Sequence, residues 1–554
     1  MRRPLVSAIV IALVMLACGE TETGRILQGT VTGADGVVPP LAHVHLLALG
    51  DDIGATVQTV QVGENGSFRL ELPDEGYYDL LVTAVNHRSL RLPVVSDGGF
   101  ELTDVRLVPA PYRYNDPLED IQVIGDWADF SRREAEAMIP QDDGTFAYER
   151  EVEADTLAYQ LLNAEQSGRS INGTDSDYYI YDGGGDYLSV VSVEAGTAVI
   201  SFDPEKARII PTDDVPLVDF GEGGDGPTEA WEIRRRWLEE TDRRDRAFQE
   251  YYEEHGTYDG FEYDMSDIRQ YLLGRMARAD GRAARKYAAI VMAGVLDMGV
   301  PLEDEEARAV AELLPVTDRM WAAQPAGFLE IFGQTYGHDR MVDLFEDNLD
   351  RVVADKVRAA MLLELGLQAK GAGDSARQRE IYEDLIQNQP DVNAPYISYR
   401  IKSELDPDLK ITSGKPAPEF ELVLLDQNRA FSRASMKGKY YLIDFWATWC
   451  GPCVREMAHL HDAYERFGGS NFEILSISLD QRVEDISGFR SGKWKMPWLH
   501  AFAEGMFSSD VATLFEVSGI PKPVLIDPEG TIVAAGLELR GDKLEETLAS
   551  YLAD

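Results

Sequence analysis

The sequence predicts a multidomain chain: two β-rich N-terminal units, an α-helical middle and a C-terminal α/β unit. At 554 residues it exceeds what a single hydrophobic core organises. Short alternating runs broken by turn residues give way, after a glycine-rich stretch at 221–227, to apolar residues spaced at helical intervals. Nearer the C-terminus a continuous apolar run, Tyr440 to Trp446, is followed by Cys450-Gly451-Pro452-Cys453 and a helical pattern from Val454 to Phe467. A buried parallel strand feeding a helix has this form.

Charge excludes one class of partner. The chain carries 97 acidic against 52 basic residues, a formal net charge of −45. Phosphate-backbone binding depends on clustered Lys and Arg, so nucleic acid is not an expected ligand. From residue 411 onward there are 14 Lys and Arg against 21 Asp and Glu, so most of the excess lies earlier and reads as surface solubility.

At the N-terminus Arg2 and Arg3 precede the apolar run Leu5 to Ala17, the charged and hydrophobic parts of a secretory signal over 1–17. Thirteen apolar-dominated residues are too few to span a bilayer comfortably. Met15-Leu16-Ala17-Cys18-Gly19 resembles the lipobox of bacterial lipoproteins. The resemblance implies cleavage before Cys18, a lipid on Cys18, a polar tether over 18–24, and an extracytoplasmic protein anchored to the cell envelope.

Residues 25–109 hold runs of strand composition: Ile26 to Val31, His43 to Leu47, Ser67 to Leu72 and Tyr78 to Val82, with Asn65-Gly66 as a hairpin signal. This segment resembles the transthyretin-like or carboxypeptidase-regulatory-like β-sandwich, a spacer or docking module. His43 and His45 fall on one sheet face, where a structural role outweighs metal binding. In 112–204, Val123 to Trp127, Met138, Asp143 to Phe146 and Leu188 to Val191 resemble immunoglobulin-like domains related to glycogen-binding modules. That resemblance implies a second β-sandwich and makes Trp127 a candidate sugar platform, although a core plug is its more ordinary role. Asp175, Asp177, Asp182 and Asp186 flank Gly183 to Gly185 without EF-hand spacing, so a solvated acidic hairpin is expected rather than calcium. Asn65 and Asn172 match the glycosylation pattern but read as turns.

Residues 205–227, ending in Gly221 to Pro227, read as a linker. Over 228–408 helical spacing recurs at Trp231 to His255, Ser266 to Arg278, Gly281 to Met298, Asp304 to Leu314, Met341 to Leu349, Asp355 to Gln368 and Ser375 to Asn388. Ala376 to Pro390 resembles the second helix of a tetratricopeptide unit, so the domain is read as repeat-like, although no fixed period runs through it. Tyr396 to Arg400 leads into the C-terminal unit.

The chain has three cysteines, and two of them stand two residues apart at the start of a helix. A helix N-terminus favours a thiolate, and a rigid strand holds such a pair for dithiol–disulfide chemistry. A structural zinc needs about four ligands, and there is no second cysteine pair; His459 and His461 are expected on the solvent face of the helix or near its end. No metal or cofactor is expected. Cys450, at the exposed start of the helix, reads as the nucleophile, and Cys453, one turn in, as the shielded resolving thiol.

Asp444-Phe445-Trp446-Ala447-Thr448-Trp449-Cys450-Gly451-Pro452-Cys453 resembles the active-site segment of thioredoxins, and Gly519-Ile520-Pro521 the segment that carries their cis-proline. Lys415 to Phe420 and Leu525 to Gly530 place 411–554 closer to the TlpA/ResA-like and redoxin (AhpC-TSA) branch. The resemblance implies a thioredoxin fold, thiol–disulfide oxidoreductase activity, protein thiols or disulfides as substrates and a membrane electron donor. It also implies site roles for Trp449, for Pro521 packed against the dithiol, and for Asp444 as a buried acid serving the second cysteine. Burial in an apolar strand should raise the pKa of Asp444. ResA-like sequences use a glutamate three residues after the second cysteine, here Glu456. The lysine that partners the buried acid in thioredoxins is replaced by Ser476, and a proline two residues after that glutamate by Ala458. A peroxidase reading is disfavoured because Ile443 and Ala447 stand where peroxiredoxins place a proline and a Thr or Ser. An envelope scaffold binding glycan or protein, with an accessory redox domain, is the alternative function.

Overall fold

The computed structural model describes residues 25–552, apart from short stretches at 50–55, 73–75, 97–100, 167, 209–215, 222–223, 256–260, 279–280, 389–393, 428, 470 and 493. The signal segment, Cys18 and the tether lie outside the described residues. No helix among those described is long and apolar enough to cross a membrane. The chain divides into two compact units, the second beginning at Glu232.

In the first unit, strands Thr56–Gln61, Ala42–Ala48, Gly76–Ala84 and Leu90–Ser96 form one four-stranded sheet. Leu217–Asp219, Glu101–Val108, Arg25–Val31 and Ser67–Leu72 form another. Ser67–Leu72 shows the pattern of a half-buried strand, with Phe68, Leu70 and Leu72 buried and the residues between them exposed. Leu27, Val44, Phe68, Leu80, Phe220 and Trp231 share one core. Arg25–Val31 pairs in parallel with Glu101–Val108, and the register shifts at Gly29. A Cβ on Gly29 would stand 1.8 Å from the Val105 carbonyl oxygen, so only glycine permits that approach. Two features differ from expectation: Leu217–Asp219, inside the stretch read as linker, adds a strand opposite Val108, and the first long helix, Asp225–His255, already begins within the glycine-rich run. Gly224 allows this by lying against Phe220, where a Cβ would come within 2.3 Å of the phenylalanine Cβ.

The next sheet is built mainly from Phe146–Glu151, Thr197–Phe202, Tyr187–Glu194, Thr156–Leu162 and Gln122–Gly125, with Tyr178–Tyr181 also pairing to Tyr187–Glu194. His43 and His45 are buried: His43 Nδ1 lies 3.0 Å from the Tyr187 hydroxyl, and His45 bonds Thr59 and Thr83. Burial pushes the His45 pKa down to about 4, which keeps the ring neutral in this hydrogen-bonded cluster. Trp127 is half-buried, stacked on Tyr148 with the Arg150 guanidinium over its ring. The aspartates of the glycine hairpin serve local structure. Asp182 accepts from the Gly184 and Asp186 amides, Asp177 accepts from the Ser192 amide, and Asp175 pairs with Lys206.

The second unit opens with helices, including Ser266–Met276, Arg282–Ala293, Asp304–Leu313, His338–Asn348, Asp355–Gly371 and Ser375–Asn388. A further helix, Pro325–Tyr336, was not expected. Its Trp321, Phe328, Phe332 and Phe345 surroundings pack rings at 4.9 to 6.2 Å between centroids. The short helix Pro395–Arg400 closes this layer, with Arg400 bridging Glu364 and Glu404.

The C-terminal domain is a seven-stranded sheet in the order Arg429–Ser432, Glu421–Leu424, Leu499–Phe502, Phe472–Ser478, Tyr440–Trp446, Lys522–Ile526, Ile532–Ala535. Tyr440–Trp446 lies parallel to Phe472–Ser478 and antiparallel to Lys522–Ile526. Apolar clusters cover both faces, one containing Ile443, Phe445 and Phe515, the other Leu442, Trp446 and Met457. This two-sided burial explains why the central strand reads as an unbroken apolar run. Glu516 accepts the Lys410 and Ile411 amides, which ties the end of the helical layer to the sheet domain.

Candidate active site: a dithiol above two carboxylates

Trp446 ends the central strand, and the chain turns through Ala447, Thr448 and Trp449 into helix Gly451–Phe467. Asp480 shapes that turn. Itself buried, it accepts from the Thr448 amide at 3.0 Å, the Thr448 hydroxyl at 2.7 Å and the Ser478 hydroxyl at 2.8 Å. Its signal in the sequence was only a short polar residue just past an apolar strand.

Cys450 occupies the N-cap of the helix, and its Sγ accepts the Cys453 amide at 3.1 Å. Pro452 takes a first-turn position, where no amide is missed. The two cysteines are joined as a disulfide. Cys450 is 5% exposed and Cys453 1% exposed. Both are buried, so Cys450 is far less open than a nucleophile at an exposed helix start would be. The covering groups are identifiable: the bonded partner sulfur and the Ile520 carbonyl oxygen, 3.7 Å from Cys450 Sγ. The Ile520–Pro521 peptide is cis, and Pro521 is buried. Trp449 is 53% exposed beside a half-exposed Phe507, with ring centroids 6.4 Å apart.

Asp444 is buried on the central strand, in register with Ser476 on the next strand. Ser476 donates to Asp444 Oδ2 at 3.4 Å while accepting from the Trp498 indole at 2.9 Å. The position held by a lysine in thioredoxins thus supplies no charge here. Burial pushes the Asp444 pKa up to about 7, and the nearby Glu456 carboxylate adds to the rise; Ser476 and Arg540 pull the other way. Glu456 is not an ordinary exposed helix residue. Arg540 Nε lies 3.3 Å from its Oε1, and the Gly541 amide donates to its Oε2 at 2.8 Å.

His461 does not lie on a solvent face. Its ring packs 5.2 Å from Trp494 and 4.8 Å from Trp498, because the apolar side of the helix continues onto those indoles. Among the described residues no group of three or more His, Cys, Asp or Glu is arranged to hold a metal ion. Sequence reading also missed Tyr399 of helix Pro395–Arg400. A Cβ on Gly519 would stand 2.8 Å from its Cε2, so glycine here admits the ring against the proline loop.

The model of the AhpC/TSA family matches residues 413–535. The thiol-disulfide oxidoreductase ResA of Bacillus thuringiensis subsp. konkukian is 27% identical over 157 residues, which cover 28% of this chain and 83% of that protein. Its Bacillus subtilis counterpart is 28% identical over 146 residues, 26% of this chain and 75% of that protein. The C-terminal domain is a thioredoxin-like thiol–disulfide oxidoreductase. Among solved structures, the thioredoxin domain of a thiol-disulfide oxidoreductase from Bacteroides vulgatus is 34% identical, covering 25% of this chain and 97% of that one, with a TM-score of 0.24. The ResA similarity covers 28% of this chain and the family model 413–535, so most of the β-rich and helical part has no counterpart in either match.

Proposed function

We propose that the protein is an extracytoplasmic, lipid-anchored thiol–disulfide oxidoreductase that reduces disulfides of envelope proteins through Cys450 and Cys453. One observation carries the chemistry: a Cys-Gly-Pro-Cys pair caps a helix directly beyond a strand whose buried carboxyl, Asp444, has a pKa pushed up to about 7. An acid of that strength accepts and returns protons near neutral pH.

In the reduced enzyme the Cys450 thiolate is favoured by the Cys453 amide and the helix N-terminus. It attacks one sulfur of a substrate disulfide; a Cys450–substrate bond forms, and the other substrate sulfur leaves as a thiolate that takes a proton from solvent. Cys453 then gives its proton to Asp444, and its sulfur bonds Cys450 Sγ as the Cys450–substrate bond breaks. The second substrate sulfur leaves with the electron pair and is protonated from solvent. Two electrons have passed to the substrate, and the enzyme holds the disulfide seen here. A membrane electron donor reverses that oxidation. Trp449 and Phe507 offer an exposed aromatic edge beside the dithiol for an incoming protein. The Arg2–Arg3 pair, the apolar run to Ala17 and Cys18 support export and lipidation.

Insulin reduction by the full chain tests the activity. Cys450→Ser should abolish it, and Cys453→Ser should attack once and stall as a mixed disulfide, capturing the natural substrate. Equal alkylation of both reduced thiols at neutral pH would sink the assigned order. Mass spectrometry of the mature protein, isolated from a bacterial membrane, should find acyl chains on Cys18.

A further inference from the structure

The short turn Gly536–Leu539, capped by Arg540, leads into the last helix, Asp542–Leu552, and brings one guanidinium to the edge of the redox site. Arg540 and the Gly541 amide grip the two oxygens of Glu456 from one side. The glutamate and arginine side chains are 15% and 26% exposed, so solvent screens the pair only in part. Glu456 in turn acts on Asp444, and Arg540 opposes it.

We propose that Arg540 is a positioning residue for the resolving step: it fixes the orientation of Glu456 and offsets its charge, so that the buried Asp444 can be ionised when Cys453 must lose its proton. The proposal rests on the reading of Asp444 as the acceptor of that proton. Without Arg540 the Glu456 charge would act on the buried Asp444 uncompensated, with the neutral Ser476 as the remaining group that favours its ionised form. The Glu456 charge then disfavours ionisation of the buried Asp444. The balance is thus held by a cation from a segment 84 residues away in sequence from Glu456.

The other groups around this network have their own roles. Cys453 is the proton donor. From the helical layer, Tyr396 and Tyr399 both feel the Arg540 charge, but burial raises their pKa values and keeps them neutral. Arg400 is occupied with Glu364 and Glu404. Arg540 is therefore the cation whose removal should change the titration of Asp444.

The test uses the full chain and single-turnover kinetics with a disulfide peptide, following mixed-disulfide formation and its resolution separately across pH 5.5 to 9.5. Arg540→Gln is expected to slow resolution at pH 7 by about three- to tenfold, the size of a partly screened charge interaction. The rate should recover at high pH and the first attack should be unchanged. Arg540→Lys should restore most of the loss. Glu456→Gln should move the pH profile of resolution the opposite way, toward lower pH, because it removes the repelling carboxylate. A resolution profile for Arg540→Gln that superimposes on the wild type, with or without a lower melting temperature, would make Arg540 a structural brace and overturn the proposal. If that variant does not fold, a Glu456→Gln profile that is unmoved or moves upward overturns it instead. Loss of the underlying reading looks different: Asp444→Asn would then leave the resolution profile unaltered.

Discussion

Burial keeps the Asp444 carboxyl neutral up to about pH 7, whereas an unfolded aspartate ionises near pH 3.9. Between those values the folded chain holds a proton that the unfolded chain has lost. Stability therefore falls as pH rises from about 4 to about 7 and is level above. Each pH unit in that window withdraws about 1.4 kcal/mol, a few kcal/mol in all. Asp444→Asn should accordingly raise the melting temperature of the oxidised protein by several degrees at pH 8 and leave it nearly unchanged at pH 4. Thermal scans at both values check this, and a pH-independent effect would show that the carboxyl is not the titrating group. Asp444, Glu456, Pro521 and the two cysteines were legible in the sequence because short motifs mark them. Arg540, Asp480, Phe507 and Tyr399 were not. Each reaches the site from a different segment, through contacts that no local spacing records.

At the level of elements, the turn between the central strand and the dithiol helix depends on Asp480, a buried carboxylate with three hydrogen bonds to Thr448 and Ser478. Asp480→Ala leaves the Thr448 amide and hydroxyl without that partner. It should cost about 2–3 kcal/mol, read as a lower denaturation midpoint with unchanged slope, and should slow attack by Cys450 as the turn loosens. Most helices were visible from their apolar spacing. Pro325–Tyr336 was missed because its apolar and aromatic residues leave little amphipathic contrast. In the structure Gly327 lets the helix approach Ala293, whose carbonyl oxygen would stand 3.3 Å from a Cβ there. Leu217–Asp219 was missed for the opposite reason. Three residues carry no periodicity, and their strand identity comes wholly from pairing with Arg106 to Val108.

For the whole molecule, the redox potential sets the direction of electron flow in the proposed function. The Gly-Pro dipeptide between the cysteines is that of reducing thioredoxins, near −270 mV, while strong oxidants of this fold reach about −120 mV. That gap corresponds to about 7 kcal/mol for a two-electron couple. With Ser476 in place of a lysine, the expected potential is about −250 mV. Equilibration against glutathione and dithiothreitol buffers measures it, and a value above about −180 mV would assign oxidase or isomerase work instead. The pairing of Leu217 with Val108 has a different bearing. Partners in an antiparallel ladder stand about 5 Å apart, so the chain leaves the first β unit and returns to it at nearly the same point. The sheet built from Gln122–Gly125 to Thr197–Phe202 is thus a guest threaded into one hairpin of a host, and the host is complete only after the guest has been synthesised. The guest is removable in principle: joining Val108 to Leu217 through a two-residue Asn-Gly turn should preserve the host's cooperative melting transition, at the cost of the contacts of Tyr181 and Tyr187 with His43, His45 and Thr83 and of Asn172 with Asn86. The reverse excision, taking away Leu217–Asp219 and keeping the guest, should not, because it strips the outer strand from a host sheet whose core extends to Phe220 and Trp231.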